Sequence, residues 1–198
     1  LVAALSARPP AAADAWRTAC AGRKLRWQEI CLQAAACPPL LDNVWQQPVL
    51  TQPAAIGVVQ AMARAAGATC LFDAGDVQAN GFQLARDTAP LQTITETGAS
   101  YMGFAASALV ASGLADQPQR VVAVTGDGSF MMNPQILVDA VEHRLKATIV
   151  LFDNRRMAAI SSLQRDQYGA EYRTNDRVAV DYRRLASSVD GVLGLASP

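Results

Sequence analysis

The residues best suited to chemistry follow two short apolar runs in the second half of the chain. The first run ends in Thr-Gly-Asp-Gly-Ser, in which Asp127 stands between two glycines, and the second ends in Asp153-Asn154. Glycine lets the main chain turn sharply, so that bare N–H groups can approach an anion. Asp127 and Asn154 carry oxygen ligands of the kind that Mg²⁺ prefers, and Mg²⁺ often shares them with phosphate. The two turns therefore predict a site for a divalent ion and a phosphate-bearing ligand.

The elements that must position these turns are visible in the hydrophobic pattern. The β-branched run Val121–Val124 and the run Thr148–Phe152 predict two buried strands. Between them, residues 134–145 place apolar side chains on one helical face. A right-handed β-α-β unit brings both turns to the carboxyl edge of neighbouring parallel strands, where ligands bind. The alternative is an Asp-Gly hairpin turn with an unrelated surface asparagine.

The turn Gly126-Asp127-Gly128-Ser129, followed by Asn154, resembles the motif of thiamine diphosphate enzymes. Asn154 follows Asp127 by 154 − 127 = 27 positions, a spacing typical of that family. The resemblance implies an α/β fold, a parallel sheet with helices on both faces that binds thiamine diphosphate through Mg²⁺. It also implies that Asp127, the Asn154 side chain and the main-chain carbonyl of Arg156 hold the metal ion.

Further cofactor contacts are implied in two loops that precede the Gly-Asp-Gly turn. The apolar run 69–72 predicts a strand, and the loop after it would bring the Gly75 main chain to the diphosphate. Many members carry an amide and a histidine where Asp76 and Val77 stand here, so Asp76 could instead be a plain helix N-cap. The short strand predicted for 92–95 leads to a loop that resembles the pyrimidine-binding loop of the family.

In that second loop, Met102 occupies the position of the side chain that keeps the cofactor bent in family members. An ordinary core methionine is the alternative. The Ser100 carbonyl and the Met102 N–H would hold the pyrimidine edge. The cofactor-binding residues implied by the resemblance are Gly75, Ser100, Met102, Gly126, Asp127, Gly128, Ser129 and Asn154.

The catalytic residues are less well defined by the sequence. Glu96 could act on the substrate as an acid or base, or it could cap the following turn. The glutamate that activates the pyrimidine belongs to a second domain in this family, and no such segment is found in these 198 residues. Arg155 and Arg156 could clamp a substrate carboxylate, but we expect solvated residues at the start of a helix.

The substrate side resembles one branch of the family. An Asp-Asn-Arg start, followed by an isoleucine and then by Leu-Gln, is most similar to trihydroxycyclohexanedione hydrolases, as is the run from Glu96 to Met102. The acetolactate synthase-like group is the broader match. Ala158 departs from the glycine of many relatives. The resemblance implies a parent enzyme that makes or breaks C–C bonds next to a carbonyl. Two alternatives are a non-catalytic interaction module that keeps the fold without the cofactor, and a phosphotransferase that uses Asp127.

Composition excludes several other classes. The chain has 198 residues, of which 51% are hydrophobic, with 17 basic and 17 acidic residues. A net charge of zero gives no electrostatic footprint for nucleic acid. The longest apolar run, 101–115, is too short to span a membrane. The four cysteines form no CxxC pair, which indicates reduced thiols and a cytoplasmic protein. His143, the one histidine, is expected on an exposed helix face, which argues against a Ser/His/Asp triad.

The domain boundary is predicted near residue 50. Residues 11–36 are expected to be helical, and 38–53 carry four prolines typical of a linker. We therefore interpret residues 1–50 as the helical tail of a preceding domain plus a linker. We interpret residues 51–198 as the thiamine diphosphate-binding domain that the resemblance implies, and we expect it to be truncated at both ends. Within it, 166–177 are expected to form a mobile loop over the site.

The resemblance also implies partners. The cofactor of family members sits between this domain and a pyrimidine-binding domain, usually from another subunit of a homodimer or homotetramer. We therefore expect the isolated fragment to bind the diphosphate weakly and to be inactive, whereas the parent enzyme acts on a small carbonyl compound or 2-oxo acid.

Overall fold

A parallel four-stranded sheet forms the centre of the chain. In the computed structural model, which describes residues 14–174 and 178–197, the strand order is β4-β3-β5-β6. These strands are β3 (Thr69–Phe72), β4 (Thr93–Thr95), β5 (Val121–Gly126) and β6 (Ala147–Phe152). Central strand β5 pairs with β6 from Val121 opposite Ala147 to Gly126 opposite Phe152. The predicted β-α-β arrangement is therefore confirmed, and both turns leave the sheet at one edge.

Helices connect and cover the strands. In chain order they are α1 (Asp14–Ala35), α2 (Gln52–Ala65), α3 (Asp76–Leu84), α4 (Phe104–Leu114), α5 (Asp127–Phe130), α6 (Ile136–Glu142), α7 (Ala158–Tyr168) and α8 (Tyr182–Ser187). The start of α2 is as predicted, because the Thr51 side chain accepts a hydrogen bond from the Ala54 N–H and Pro53 lies in the first turn. Gly67, with φ 61°, ends that segment in the left-handed conformation.

Two apolar layers cover the two faces of the sheet. On one face, α2 and α3 pack on alternate side chains of β3 and β5, with Ile56 and Phe72 almost fully buried. On the other face, α4 and α6 pack around Leu109, Ala123 and Ile136, none of which exposes any surface. The predicted α/β fold with helices on both faces is therefore confirmed.

The segment expected to be a plain linker contains regular structure. Strands β1 (Leu40–Asp42) and β2 (Gln47–Val49) pair in antiparallel orientation, with Leu40 opposite Val49. The Asp42 carboxylate caps the turn between them by accepting hydrogen bonds from the Val44 and Trp45 N–H groups at 2.7 and 3.0 Å. Pro48 is tolerated because this two-stranded ribbon is all edge. The proline-rich segment therefore contains a capped hairpin.

Other boundaries also differ from expectation. The helix predicted for 134–145 is shorter, and α5 forms directly after the Gly-Asp-Gly turn. The predicted loop 166–177 begins inside α7, which continues to Tyr168, while 175–177 lie outside the described residues. Residues 11–13 of the predicted first helix also lie outside them. Within the described part of the chain, no helix is long and apolar enough to cross a membrane.

Candidate functional site

The carboxylate of Asp127 joins the two predicted turns. Its side chain is buried, with 5% of its surface exposed, at the point where β5 runs into α5. Oδ1 accepts a hydrogen bond from the Gly128 N–H at 2.9 Å, and Oδ2 accepts one from the Arg155 N–H at 2.8 Å. The acid is therefore held against the turn that carries Asn154, as a shared metal ion would require.

The turn after β6 is built around Asn154. Its side-chain Oδ1 accepts a hydrogen bond from the Arg156 N–H at 3.0 Å, which folds the main chain back in an Asx turn. Arg155 adopts φ 52°, a left-handed conformation that a non-glycine residue rarely takes. This conformation directs the Arg155 N–H to Asp127. The strained residue thus lies where the two turns meet.

A second acid, Asp153, lies beside Asp127 and was not singled out by the sequence. Its Oδ1 is buried and finds no hydrogen-bond partner among the described residues. Burial, followed by the neighbouring charge of Asp127, raises the pKa of the Asp153 carboxyl, while the Arg155 charge opposes the shift. An unpartnered buried oxygen beside a second carboxylate is a site that a divalent cation would satisfy. The sequence feature that could have identified Asp153 as a site residue is its position at the end of a predicted strand.

No three-residue cluster of the usual charged or soft ligands is present in the described part of the chain. There, no group of three His, Cys, Asp or Glu side chains could hold a metal ion. A metal ion at this edge would therefore depend on the Asn154 amide and a main-chain carbonyl besides carboxylate, a donor set that suits hard Mg²⁺.

A pocket of about 210 Å³ opens at this edge of the sheet. Its lining residues come from three separate segments, namely Asp127, Gly128, Met131, Asp153, Arg155, Val178, Val180 and Tyr182. Acidic and basic groups thus line its base, while the segment before and into α8 provides an apolar wall. The Tyr182 ring packs edge-on against Phe130 with centroids 6.0 Å apart, which fixes that wall against α5.

The loop before α4 reaches the same turn. A Cβ added to Gly128 would lie 3.2 Å from the Met102 Cε, so the methionine side chain lies over the Gly-Asp-Gly turn. Gly103 has φ 90°, and an added Cβ would lie 3.0 Å from the Met132 Cβ and 3.3 Å from the Ser129 carbonyl oxygen. The sequence brought Met102 to this site by resemblance, and the structure places it beside Gly128.

A fully buried carboxylate, Asp73, connects three segments at this edge. Its Oδ1 accepts hydrogen bonds from the Ala74 and Gly103 N–H groups, both at 2.9 Å, and its Oδ2 accepts one from the Thr125 hydroxyl at 2.8 Å. Asp73 exposes none of its surface. Sequence reasoning noted the strand end but not this residue, because its partners lie 30 and 52 positions away.

The Gly75 turn has open space in front of it. Gly75 is the N-cap of α3 with φ 81°, and no atom lies within 4 Å of an added Cβ. Asp76 is the first helical residue, so the alternative that made it the N-cap is wrong by one position. Val77 is buried in the core, as expected of an apolar residue there. The main chain at Gly75, which lacks a side chain, is accessible to a ligand.

Gln78 ties this turn to the Met102 loop. Its amide nitrogen donates to the Thr95 hydroxyl at 2.8 Å, and its amide oxygen accepts from the Ser100 hydroxyl at 3.0 Å. Ser100 has φ 50°, the left-handed region that serine seldom adopts. The hydrogen bonds of Gln78 thus hold the strained loop against the turn after β3.

Glu96 caps its own loop. Its carboxylate accepts hydrogen bonds from the N–H groups of Gly98 at 2.5 Å, Ala99 at 3.0 Å and Ser100 at 2.5 Å. These main-chain donors, that of Ala99 first, lower the pKa of the exposed Glu96 carboxyl. The geometry favours the capping interpretation, and a direct catalytic role stays a prediction.

Arg155 and Arg156 differ from the expectation of solvated helix-start residues. Helix α7 begins only at Ala158, and both arginines are half-buried with buried Nε atoms that lack partners among the described residues. The Arg155 guanidinium stacks 4.2 Å above the ring centroid of Trp45 in the hairpin. His143 is exposed at the C-cap of α6, as predicted.

The fold and the edge site together define an α/β domain of the class in which ligands bind at the carboxyl ends of parallel strands. The family model described as "Thiamine pyrophosphate enzyme, C-terminal TPP binding domain" matches residues 73–197. The chain belongs to this family of thiamine diphosphate (thiamine pyrophosphate) enzymes.

Curated relatives include proteins of both branches suggested by the sequence. A 3D-(3,5/4)-trihydroxycyclohexane-1,2-dione hydrolase of Halalkalibacterium halodurans is 38% identical over 97 residues, which are 46% of this chain and 15% of that protein. The same enzyme of Bacillus subtilis is 36% identical over an equal stretch. Acetolactate synthase isozyme 2 large subunit of Escherichia coli is 38% identical over 92 residues, 17% of its length. The chain thus matches less than a fifth of each relative.

Proposed function

We propose that the carboxyl edge of the sheet holds thiamine diphosphate through Mg²⁺. The metal ligands would be Asp127, the Asn154 side chain and the Arg156 carbonyl. Gly75, Ser100, Met102, Gly126, Gly128 and Ser129 would contact the cofactor. The observation that carries the proposal is the hydrogen bond from the Arg155 N–H to Asp127 Oδ2, since it draws the acid and the amide turn together.

The surroundings of the turns support the same assignment. A Cβ added to Gly126, like one added to Gly75, would meet no atom within 4 Å, so two strand ends offer bare main chain to a diphosphate. The orphaned Asp153 Oδ1 adds an oxygen that a metal ion or a metal-bound water would satisfy. When bound, thiamine diphosphate supplies a carbon nucleophile, formed by loss of a proton, that attacks a carbonyl, and it supplies the electron sink that stabilises a neighbouring carbanion.

The chain's own residues would serve to bind and orient. The Met102 side chain beside Gly128 would support the cofactor from below, and the Ser100 carbonyl and Met102 N–H would hold one edge of its pyrimidine. The apolar wall of the pocket, which includes Val178 and Val180, would keep water from the diphosphate side. A pyrimidine-binding domain, from the same polypeptide or another subunit, would supply the activating glutamate.

The parent activity is proposed as cleavage or formation of a C–C bond next to a carbonyl. The names of the relatives suggest two substrate classes, a cyclic 1,2-dione opened by hydrolysis and the 2-oxo acid chemistry of acetolactate synthesis. An Asp127 nucleophile, as in a phosphotransferase, has less support because the family model that matches residues 73–197 describes a thiamine pyrophosphate-binding domain. A module without cofactor is the remaining alternative, favoured by Asp76 beside Gly75 in the first turn of α3.

Calorimetry with thiamine diphosphate, with and without Mg²⁺, tests the proposal. We expect Mg²⁺-dependent binding that Asp127→Ala abolishes, because the substitution removes the charged carboxylate ligand of the metal ion. The exposed Asp116 provides a matched control, and Asp116→Ala should bind like the wild type. Absence of binding by the wild-type chain would favour the non-catalytic module, and hydrolysis of a generic phosphate ester would favour the phosphotransferase.

A further inference from the structure

The hairpin that precedes the domain reaches the candidate metal site. The Trp45 indole Nε1 donates a hydrogen bond to the Asp153 carbonyl at 3.0 Å, across 108 positions of sequence. The Arg155 guanidinium lies over the same ring, 4.2 Å from its centroid. The indole therefore contacts the residues on both sides of Asn154, at the turn that approaches Asp127.

The hairpin turn that carries Trp45 is held by its own hydrogen bonds. Asp42 caps the hairpin turn through the Val44 and Trp45 N–H groups, and the Gln46 N–H donates to the Asp42 carbonyl at 2.8 Å. Gln46 takes φ 53° at the end of that turn. Trp45 is thus presented on a short, hydrogen-bonded support, and its side chain is half-buried against the site.

The contact has consequences for the candidate ligands. The Asp153 carbonyl and the Arg155 side chain are fixed by the indole, so the Asn154 turn between them has little freedom to rotate. The Arg155 N–H that the same turn presents holds Asp127 Oδ2. The guanidinium of Arg155 is a cation stacked on an aromatic face, a contact that supports the turn and does not ligate the metal.

We propose that the hairpin Leu40–Val49 is part of the metal site, with Trp45 as a positioning residue that holds the 153–155 turn against Asp127. This inference rests on the proposed function, since it assigns to Trp45 a role in Mg²⁺ and thiamine diphosphate binding. It also makes the segment before the domain a determinant of cofactor affinity. A shift of the hairpin would therefore change the affinity for Mg²⁺.

Trp27 offers a matched control for this role. Its indole Nε1 also donates to a distant main-chain carbonyl, that of Gln83 at 3.2 Å, but this carbonyl belongs to α3 and not to the turn that carries Asn154. Trp27→Phe and Trp45→Phe therefore remove the same kind of hydrogen bond and keep an aromatic ring. They differ in whether that bond ends at the metal turn.

The experiment measures Mg²⁺ affinity in the presence of thiamine diphosphate for the wild type, the two phenylalanine variants and Trp45→Ala. We expect Trp45→Phe to weaken Mg²⁺ binding about threefold, by loss of one hydrogen bond. Trp45→Ala should weaken it about tenfold or more, as do losses of supporting contacts around other metal ligands. Trp27→Phe should bind like the wild type, even if thermal melting shows that both phenylalanine variants lose similar stability.

Tryptophan fluorescence gives a second readout. The three tryptophans are Trp16, Trp27 and Trp45, and only the last lies beside the candidate site. Mg²⁺ with thiamine diphosphate should change the emission of the wild type and of Trp27→Phe, and should leave that of Trp45→Phe almost unchanged.

The outcomes separate the two proposals. A wild-type chain that binds no Mg²⁺ and thiamine diphosphate overturns the proposed function, and the role of Trp45 falls with it. A wild type that binds, with Trp45→Ala binding equally well, supports the proposed function and overturns the role of the hairpin. Selective loss in the Trp45 variants supports both.

Discussion

Asp73 holds three segments together through a single buried carboxylate. Its hydrogen bonds come from its own turn, from the N-cap Gly103 of α4 and from the Thr125 side chain next to the Gly-Asp-Gly turn. A carboxylate that accepts several donors is well satisfied, whereas its removal leaves buried donors without partners. Asp73 therefore sets the relative positions of the Gly75, Met102 and Asp127 turns.

Replacement of Asp73 tests this role. We expect Asp73→Ala to lower the free energy of unfolding by about 3 kcal/mol or more, because a buried N–H group, a part-buried N–H group and a buried hydroxyl lose their acceptor. Asp73→Asn keeps one oxygen acceptor and should lose about half as much. Urea unfolding followed by circular dichroism measures both. Equal stabilities of Asp73→Ala and of Asp116→Ala, an exposed position, would contradict the assignment.

The Glu96 cap predicts a pH-dependent effect. The folded pKa of this carboxyl is lowered by main-chain N–H donors, so its stabilising contribution is present above the unfolded value and is lost as pH falls through the folded pKa. Glu96→Gln should therefore melt at a lower temperature than the wild type near neutral pH, and the difference should vanish well below the ordinary glutamate pKa of about 4.3. Thermal melts over a pH series measure this.

The control for that series is Glu142→Gln, which removes an exposed carboxylate on α6. Its melting difference from the wild type should stay small at every pH. A Glu96→Gln difference that persists unchanged at acid pH would show that the side chain acts through packing and not through its charge.

Residue types that act through a local motif could be read from the sequence, and residues that act through distant partners could not. Asp127 directly follows β5 and Asn154 lies two residues after β6, so the β-α-β pattern predicted their approach. Asp73 and Trp45 acquire their roles from partners 30 to 108 positions away, which no local pattern encodes. Asp153 was visible at its strand end, but its orphaned oxygen depends on burial.

At the scale of elements, the apolar runs predicted the strands of the sheet, whereas the prolines predicted a linker where the structure has a hairpin. Strands β3, β5 and β6 follow largely apolar runs, which are typical of parallel strands covered on both faces, whereas the edge strand β4 is Thr-Ile-Thr. The β1–β2 hairpin has strands of only three residues, one containing Pro48, and its turn depends on the Asp42 cap. Proline-rich composition indicates a loop only when no such cap organises it.

The N-terminus of α4 depends on a glycine at the N-cap that no other residue can replace without strain. Gly103 has φ 90°, and an added Cβ would approach the Met132 Cβ to 3.0 Å and the Ser129 carbonyl oxygen to 3.3 Å. Gly103→Ala should therefore lower the free energy of unfolding by about 1–3 kcal/mol, through left-handed strain and crowding. The same change should weaken thiamine diphosphate binding, since the adjoining Met102 would shift.

Gly22 is the matched control for that substitution. It lies in the interior of α1, and an added Cβ would meet no atom within 4 Å. Gly22→Ala should raise the free energy of unfolding by about 0.5–1 kcal/mol, because alanine is the better helix former. Chemical unfolding of both variants checks the pair, and a destabilised Gly22→Ala would refute the description of α1 as a regular exposed helix.

At the scale of the whole molecule, the long helix α1 buries little of its own surface against the domain. Its large apolar side chains Trp16, Leu25, Ile30 and Leu32 are exposed, and Cys31 is its one buried residue. The Cys31 thiol donates to the Gln83 carbonyl at 3.2 Å, next to the Trp27 hydrogen bond. We expect α1 to open without unfolding of the sheet.

The four free cysteines can measure that difference in the intact chain. Cys20 is exposed on α1, Cys37 is half-buried near its end, Cys31 is buried between α1 and α3, and Cys70 lies inside β3. Burial, with a smaller contribution from the Asp87 charge, raises the pKa of the Cys70 thiol to about 11, so its reactive thiolate is scarce at neutral pH. Maleimide should therefore modify Cys20 and Cys37 first, then Cys31, and Cys70 last.

Ligand dependence separates the last two thiols. If Cys31 reacts when only α1 opens, Mg²⁺ and thiamine diphosphate should leave its rate unchanged. Cys70 needs the sheet to open, so a ligand that binds the folded site should slow its modification in proportion to 1 + [L]/Kd, about a hundredfold at one hundred times Kd. Peptide mass spectrometry over time measures each thiol separately. Equal protection of Cys31 and Cys70 would mean that α1 and the sheet unfold together, and Cys70 reacting as fast as Cys20 would contradict the buried core itself.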